Sequence, residues 1–138
     1  MKLVCDTNVV FSALIAGGKT RELTLSGQTD LYAPEFFFTE LDSHRDEIEE
    51  KSRLSEDQLR LLRSILFKDT DVVPREEFED HLERANGLIG ETDPDDAPFL
   101  ALALYLDADV WSDDTDFEEQ DEVTVWKTHE LVNHLDGG

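Results

Sequence analysis

Three observations predict an α/β domain built on a mostly parallel sheet. Short apolar runs that read as strands alternate with longer stretches of helical periodicity, and glycines and prolines punctuate the joins. There is no internal repeat, linker or low-complexity tract, so the 138 residues form one domain, residues 1–138, long enough to bury a core.

The elements follow in order. Leu3 to Asp6 reads as a short buried strand, and Asn8 to Ala16 as a helix stopped by Gly17-Gly18. Thr20 to Ser26 fits a short helix ended by Gly27. Leu31-Tyr-Ala is a second strand, after which Pro34 opens a long helix from Glu35 to Lys51. Ser55 caps an amphipathic helix whose first turn is acid-rich and whose Leu59, Leu62, Ile65 and Leu66 share one face. Thr70 to Val73 is a third strand, closed by Pro74. Arg75 to Ile89 places Phe78, Leu82, Ala85 and Ile89 on one side and reads as a single helix. A loop from Gly90 to Asp95 precedes the most apolar helix, Asp96 to Leu106. Asp109–Ser112 and Glu122–Trp126 are the remaining strands, and Thr128 to Leu135 is a terminal helix.

Composition sets limits on function. No apolar stretch approaches the roughly 18–20 residues of a membrane span, and the first strand begins without a signal-like leader. The single cysteine, Cys5, lies in the first apolar run, where it behaves as a small buried residue; with no internal disulfide, the chain fits a cytoplasmic setting. Acidic residues number 34 against 12 Lys+Arg, a formal net charge of −22. Such a surface repels itself and repels nucleic acid at ordinary ionic strength. The acids are spread over helix faces, which suits a cytoplasm of molar salt, where the screening length falls to a few Å. We read the source as a halophile. Total acidity therefore decides nothing about function; position does.

Four positions stand out. Asp6 closes the first strand, Glu40 follows Phe36-Phe-Phe-Thr, Asp96 opens the apolar helix, and Asp114 and Asp116 follow Asp109-Val-Trp-Ser. Carboxylates beside buried elements are costly unless paired or bound to metal. In open parallel sheets, ligands bind beyond the carboxyl ends of strands. All these acids can share that rim, as one pocket for a divalent cation. Hard cations choose oxygen ligands, and no Cys/His cluster points to zinc.

Leu3-Val-Cys-Asp6-Thr7-Asn8-Val-Val-Phe, Phe38-Thr-Glu40-Leu, Asp93-Pro-Asp-Asp96-Ala-Pro-Phe-Leu and Ala108-Asp-Val-Trp-Ser112-Asp-Asp114-Thr-Asp116-Phe together resemble the PIN-domain family. The resemblance spans the chain in the family's order and is nearest to VapC-like toxin components of toxin–antitoxin pairs. It implies a three-layer α/β/α fold around a mostly parallel sheet of four to five strands. It also implies a metal-dependent ribonuclease using Mg²⁺ or Mn²⁺, with Asp6, Glu40, Asp96 and Asp114 as catalytic metal ligands and Asp116 as the alternate fourth acid. A homodimer and an antitoxin partner follow from the same resemblance. Asp93 suits a turn before Pro94, and Asp95 suits a helix cap.

Thr7, Asn8 and Ser112 either position water or phosphate or cap the helices they adjoin. His44, one helical turn beyond Glu40, either orients substrate or is simply exposed. Lys19, Arg21 and Arg45 are the cations nearest the first acids, and they either meet phosphate or solubilise the surface. Trp111 and Trp126 fill the core. An aspartate-nucleophile phosphatase would carry a second aspartate where Asn8 stands. A receiver-like domain would need a central strand-end aspartate to accompany Lys127. A free-standing RNA-processing nuclease and a non-catalytic PIN-fold scaffold for RNA or protein are the remaining alternatives.

Overall fold

A computed structural model describes residues 1–16, 18–89 and 95–137. The expected helix stop at Gly17, the loop from Gly90 and the turn at Asp93 lie outside the described residues. The strands are β1 (Lys2–Cys5), β2 (Asp30–Pro34), β3 (Asp71–Val73), β4 (Asp109–Trp111) and β5 (Val125–Trp126). They form one sheet in the order β3-β2-β1-β4-β5, and every pairing is parallel. The register sets Leu3 against Leu31 on one side and Asp109 on the other, with Cys5 opposite Trp111.

Alternation along the central strand assigns its faces, as a side-chain period of two requires. Leu3 and Cys5 enter one apolar layer with Leu31, Ala33 and Trp111, whereas Val4 enters the other with Val110. The first layer is covered by α1 (Thr7–Ile15), α2 (Gly18–Leu25), α3 (Phe37–Ser43), α4 (Arg45–Ser52), α5 (Glu56–Leu66) and α9 (Thr128–Gly137). The second is covered by α6 (Arg75–Phe78), α7 (Leu82–Ile89) and α8 (Ala97–Leu106). The fold is thus the three-layer α/β/α arrangement expected. No helix among the described residues is long and apolar enough to cross a membrane.

The chain builds outward from β1 through β2 to β3, then returns to the other side of β1 with β4 and β5. The order therefore reverses between β1 and β4. A crevice at the carboxyl ends of those two strands is where such sheets bind ligands.

Several boundaries differ from the sequence expectation, each for a local reason. Pro34 does not open a helix; it ends β2, opposite Val73. The long helix from Glu35 to Lys51 is two helices, broken at His44. Ser43 Oγ donates to the Glu40 carbonyl at 2.8 Å, and the His44 amide bonds back to Leu41 instead. A serine hydroxyl that takes a helical carbonyl offers the backbone this alternative. The helix from Arg75 to Ile89 is likewise interrupted, by a 3₁₀ turn at Glu79–His81. Glu76, Glu77, Glu79 and Asp80 would lie three or four residues apart on one continuous helix, where like charges repel.

β5 is shorter than Glu122–Trp126 because the Gln120 amide bonds both backbone groups of Val123. On α5, Ile65 is 52% exposed and so stands outside the core face that Leu59 and Leu66 occupy. Trp111 is fully buried, whereas Trp126 is half-buried at the sheet edge.

Candidate metal centre

The site grows from the two strand ends at the reversal. The Asp6 amide still donates to the Trp111 carbonyl, at 3.1 Å, so the sheet ladder carries one residue past β1 and fixes Asp6 beside β4. Its own carbonyl then accepts from Val9 and Val10 and starts α1. Asp6 is the N-cap residue, yet its side chain makes no cap bond. The carboxylate turns instead to Ser112, whose Oγ donates to Asp6 Oδ2 at 2.8 Å. Ser112 is fully buried, its amide held by the Trp126 carbonyl.

The same Ser112 oxygen accepts the Asp114 amide at 3.0 Å, and Asp114 Oδ1 accepts the Asp116 amide at 3.0 Å. One chain of bonds thus runs from Asp6 to Asp116. Asp113, in the middle of this acidic stretch, has a different task. Its two oxygens accept from the amide and hydroxyl of Thr128 and anchor the start of α9.

Asp96, Asp114 and Asp116 each place a carboxylate oxygen within 4.8 Å of the other two. Asp96 comes from the head of α8, where its carbonyl accepts from Phe99 and Leu100. The cap position of that helix is therefore Asp96, not Asp95 as the sequence suggested. Asp114 and Asp116 both belong to this group.

Asp6 and Glu40 lie outside that trio; Asp6 faces the charge of Asp114, and Glu40 faces Asp6. Burial pushes the Asp6 carboxyl above its ordinary range. The Ser112 hydroxyl and the Asn8 and Thr7 amides oppose the rise, and the charge of Asp114 adds to it. Burial likewise raises Glu40, in the first turn of α3, with Asp6 and Asp95 adding repulsion. The buried Thr7 hydroxyl makes no hydrogen bond of ordinary geometry, though it faces Glu40 closely enough to favour that group's charged form. Asn8 is exposed, and its side chain lines a separate groove with Phe11, His44 and Lys51.

Asp95 is the member that sequence reasoning misread. It is exposed, repels Glu40, and lines a groove with Glu40, Thr39, Arg75 and Asn86. Its position directly before Asp96 was the available signal. The cations expected near phosphate are occupied elsewhere. Lys19 pairs with Glu22 and Arg45 with Glu56, while Arg21 donates to the Ala13 and Leu14 carbonyls. His44 Nδ1 sits 3.2 Å from Glu47 and its ring meets Phe11 edge-on.

The arrangement suits a hard divalent cation. Three carboxylate oxygens close together repel unless a cation gathers them, and two more acids nearby are strained toward protonation. Oxygen donors without sulfur or imidazole suit a hard cation rather than zinc.

Comparison with solved structures finds the same fold in toxin–antitoxin complexes. VapBC2 from Rickettsia felis, solved with a DNA fragment from its promoter, aligns with a TM-score of 0.69 at 10% identity, over 92% of this chain and 98% of that one. A toxin–antitoxin complex from Klebsiella pneumoniae aligns with a TM-score of 0.67 at 11% identity, over 93% and 98%. At such identities the likeness speaks for the fold alone. Among curated proteins no sequence match is significant. The sequence profile of the PIN domain matches residues 4–136, from the first strand through the last helix, and every acid of the centre lies within that span. This chain belongs to the PIN-domain family.

Proposed function

We propose that residues 1–138 form a single metal-dependent ribonuclease domain, the cytoplasmic toxin of a toxin–antitoxin pair. The observation that carries this reading is the trio of Asp96, Asp114 and Asp116, with oxygens within 4.8 Å of one another at the rim where the strand order reverses. Family membership supports a nuclease; the donor chemistry supports Mg²⁺ or Mn²⁺.

In this reading Asp96, Asp114 and Asp116 hold the ion, and Asp6 and Glu40 complete the charge around it. A bound divalent cation lowers the pKa of water and stabilises charge developing on a phosphodiester. Ser112 keeps Asp6 and the Asp114 backbone in register. In this reading Thr7, which faces Glu40, orients water or phosphate, whereas Asn8 borders the separate groove with Phe11 and His44. No side chain needs to act as a covalent nucleophile.

The test is cleavage of single-stranded RNA by the purified protein with Mg²⁺ or Mn²⁺, with EDTA, and by Asp96→Asn. Activity should vanish on chelation and fall by more than about 100-fold in the variant, since even supporting groups of metal sites are worth 10–100-fold. Cleavage that survives both would point to a contaminating nuclease. Metal binding without RNA cleavage would favour the non-catalytic scaffold.

The toxin assignment draws on the solved complexes of this fold. An antitoxin segment lying over a carboxylate pocket would bring an arginine to it, competing with the metal for the same oxygens. Co-purification with the product of the neighbouring gene tests this. A neighbour that neither binds nor inhibits leaves a free-standing RNA-processing nuclease. The homodimer rests on family resemblance, and light scattering in solution decides it.

A further inference from the structure

A chain with net charge −22 must still hold a polyanion, and the cations that could do so are few. Most are neutralised by their own surface. Arg45 and Arg60 approach Glu56, Lys51 meets Glu47, Arg63 meets Asp42, Arg84 meets Glu122, and Lys127 meets Glu118. Lys19 and Arg21 are engaged as described above. Among the described residues, Lys2, Arg53, Lys68 and Arg75 carry neither an ion pair nor a side-chain bond to backbone carbonyls such as Arg21 makes. Of these four, Arg75 lines the groove of about 970 Å³ that Glu40 and Asp95 also border.

The placement of Arg75 is set by the fold. β3 ends at Val73, Pro74 holds an extended conformation (φ −69°, ψ 150°), and Arg75 opens α6 at the same rim of the sheet. Along the groove, Thr39 and Asn86 add neutral hydrogen-bonding groups, and Phe36 adds a half-buried ring set edge-on to Phe99. Carboxylates at one end, an ion-pair-free guanidinium, two neutral polar groups and an aromatic ring are the parts that bind a single strand by phosphate and base face. The volume lies at the upper end of the ~300–1,000 Å³ range of small-molecule sites, as suits a polymer segment laid across it.

We propose that Arg75 is the phosphate-binding cation of the substrate groove, holding a backbone phosphate of single-stranded RNA beside the acidic centre. This rests on the nuclease reading above. The guanidinium fork donates two parallel hydrogen bonds to phosphate oxygens, which a point charge does not. Arg75 is a binding residue; it takes no part in proton transfer.

The experiment measures binding of a fluorescent single-stranded RNA by anisotropy, with Mg²⁺ present and Asp96→Asn as the parent to stop cleavage. A KCl series from about 0.1 to 2 M gives the salt slope. Arg75→Ala should bind about tenfold more weakly, and its slope of log K against log salt should be shallower by ~0.7, the share of one single-strand phosphate. Arg75→Lys should recover the slope but only part of the affinity. Arg84→Ala, whose arginine is paired with Glu122, should match the parent. In the otherwise wild-type protein, Arg75→Ala should raise KM and leave kcat within about twofold. If Arg75→Ala binds with the parent's affinity and slope while the wild type cleaves RNA, Arg75 is excluded and the nuclease reading stands. If the parent does not bind and the wild type does not cleave, both fall together.

Discussion

Asp6 is a buried carboxylate whose charge the fold opposes. It is 3% exposed and faces the charge of Asp114, while one serine hydroxyl and two backbone amides favour its charged form. Its raised pKa has a definite consequence for stability. A group whose folded pKa lies above its unfolded value stabilises the fold below the unfolded value, and that contribution is lost as pH rises through the folded one. For Asp6 the loss starts above the ordinary value of 3.8. Asp6→Asn removes the penalty. In EDTA the variant should melt a few degrees above the wild type at neutral pH, and the gap should close as pH falls toward 4, as thermal scans at two pH values would show. A variant that melts lower by the same amount at both pH values would mean that Asp6 is a structural cap rather than a charge held for a ligand.

At the scale of elements, legibility tracked how local the deciding interactions are. The Ser55 helix was readable because its cap is self-contained: Ser55 Oγ accepts the Gln58 amide at 3.2 Å, and Gln58 Oε1 accepts the Ser55 amide at 2.9 Å. Ser55→Ala should therefore cost about 1 kcal/mol in chemical denaturation, the usual worth of such a cap. Strand β1 was readable because burial on both faces of the sheet leaves an unbroken apolar run ending in Asp6, and helix α8 because Asp96 opens the most apolar stretch of the chain.

The breaks at His44 and at Glu79–His81 were not readable. One depends on which carbonyl a serine hydroxyl captures, and the other on acid repulsion outweighing a helical apolar face. Asp95 and Arg75 were missed for a further reason. In sequence Asp95 itself reads as a helix cap, and Arg75 reads only as the residue after the strand stop at Pro74. Only the geometry of the groove shows that they border the same space.

For the whole molecule, charge is the dominant fact. The ion pairs are mostly exposed, such as Lys51 with Glu47 at 2.6 Å and Arg60 with Glu56 at 3.3 Å, and such pairs are individually weak. They do not offset 22 unbalanced negative charges, whose mutual repulsion salt must screen. Metal-free protein should lose melting temperature steadily as KCl is lowered from molar to millimolar. A flat profile would remove the basis for a halophilic source.

Added Mn²⁺ should restore part of that loss, since an ion bound only by the folded state at about 100 times its Kd adds ~2.7 kcal/mol. The most direct test is a Mn²⁺ titration of the metal-free protein read by the initial rate of single-stranded RNA cleavage. The wild type should rise from no activity to a plateau, while Asp96→Asn and Asp114→Asn should stay near baseline at every concentration. A rate independent of Mn²⁺, or equal in both variants, would show that the carboxylates at this rim do not make a metal-dependent nuclease.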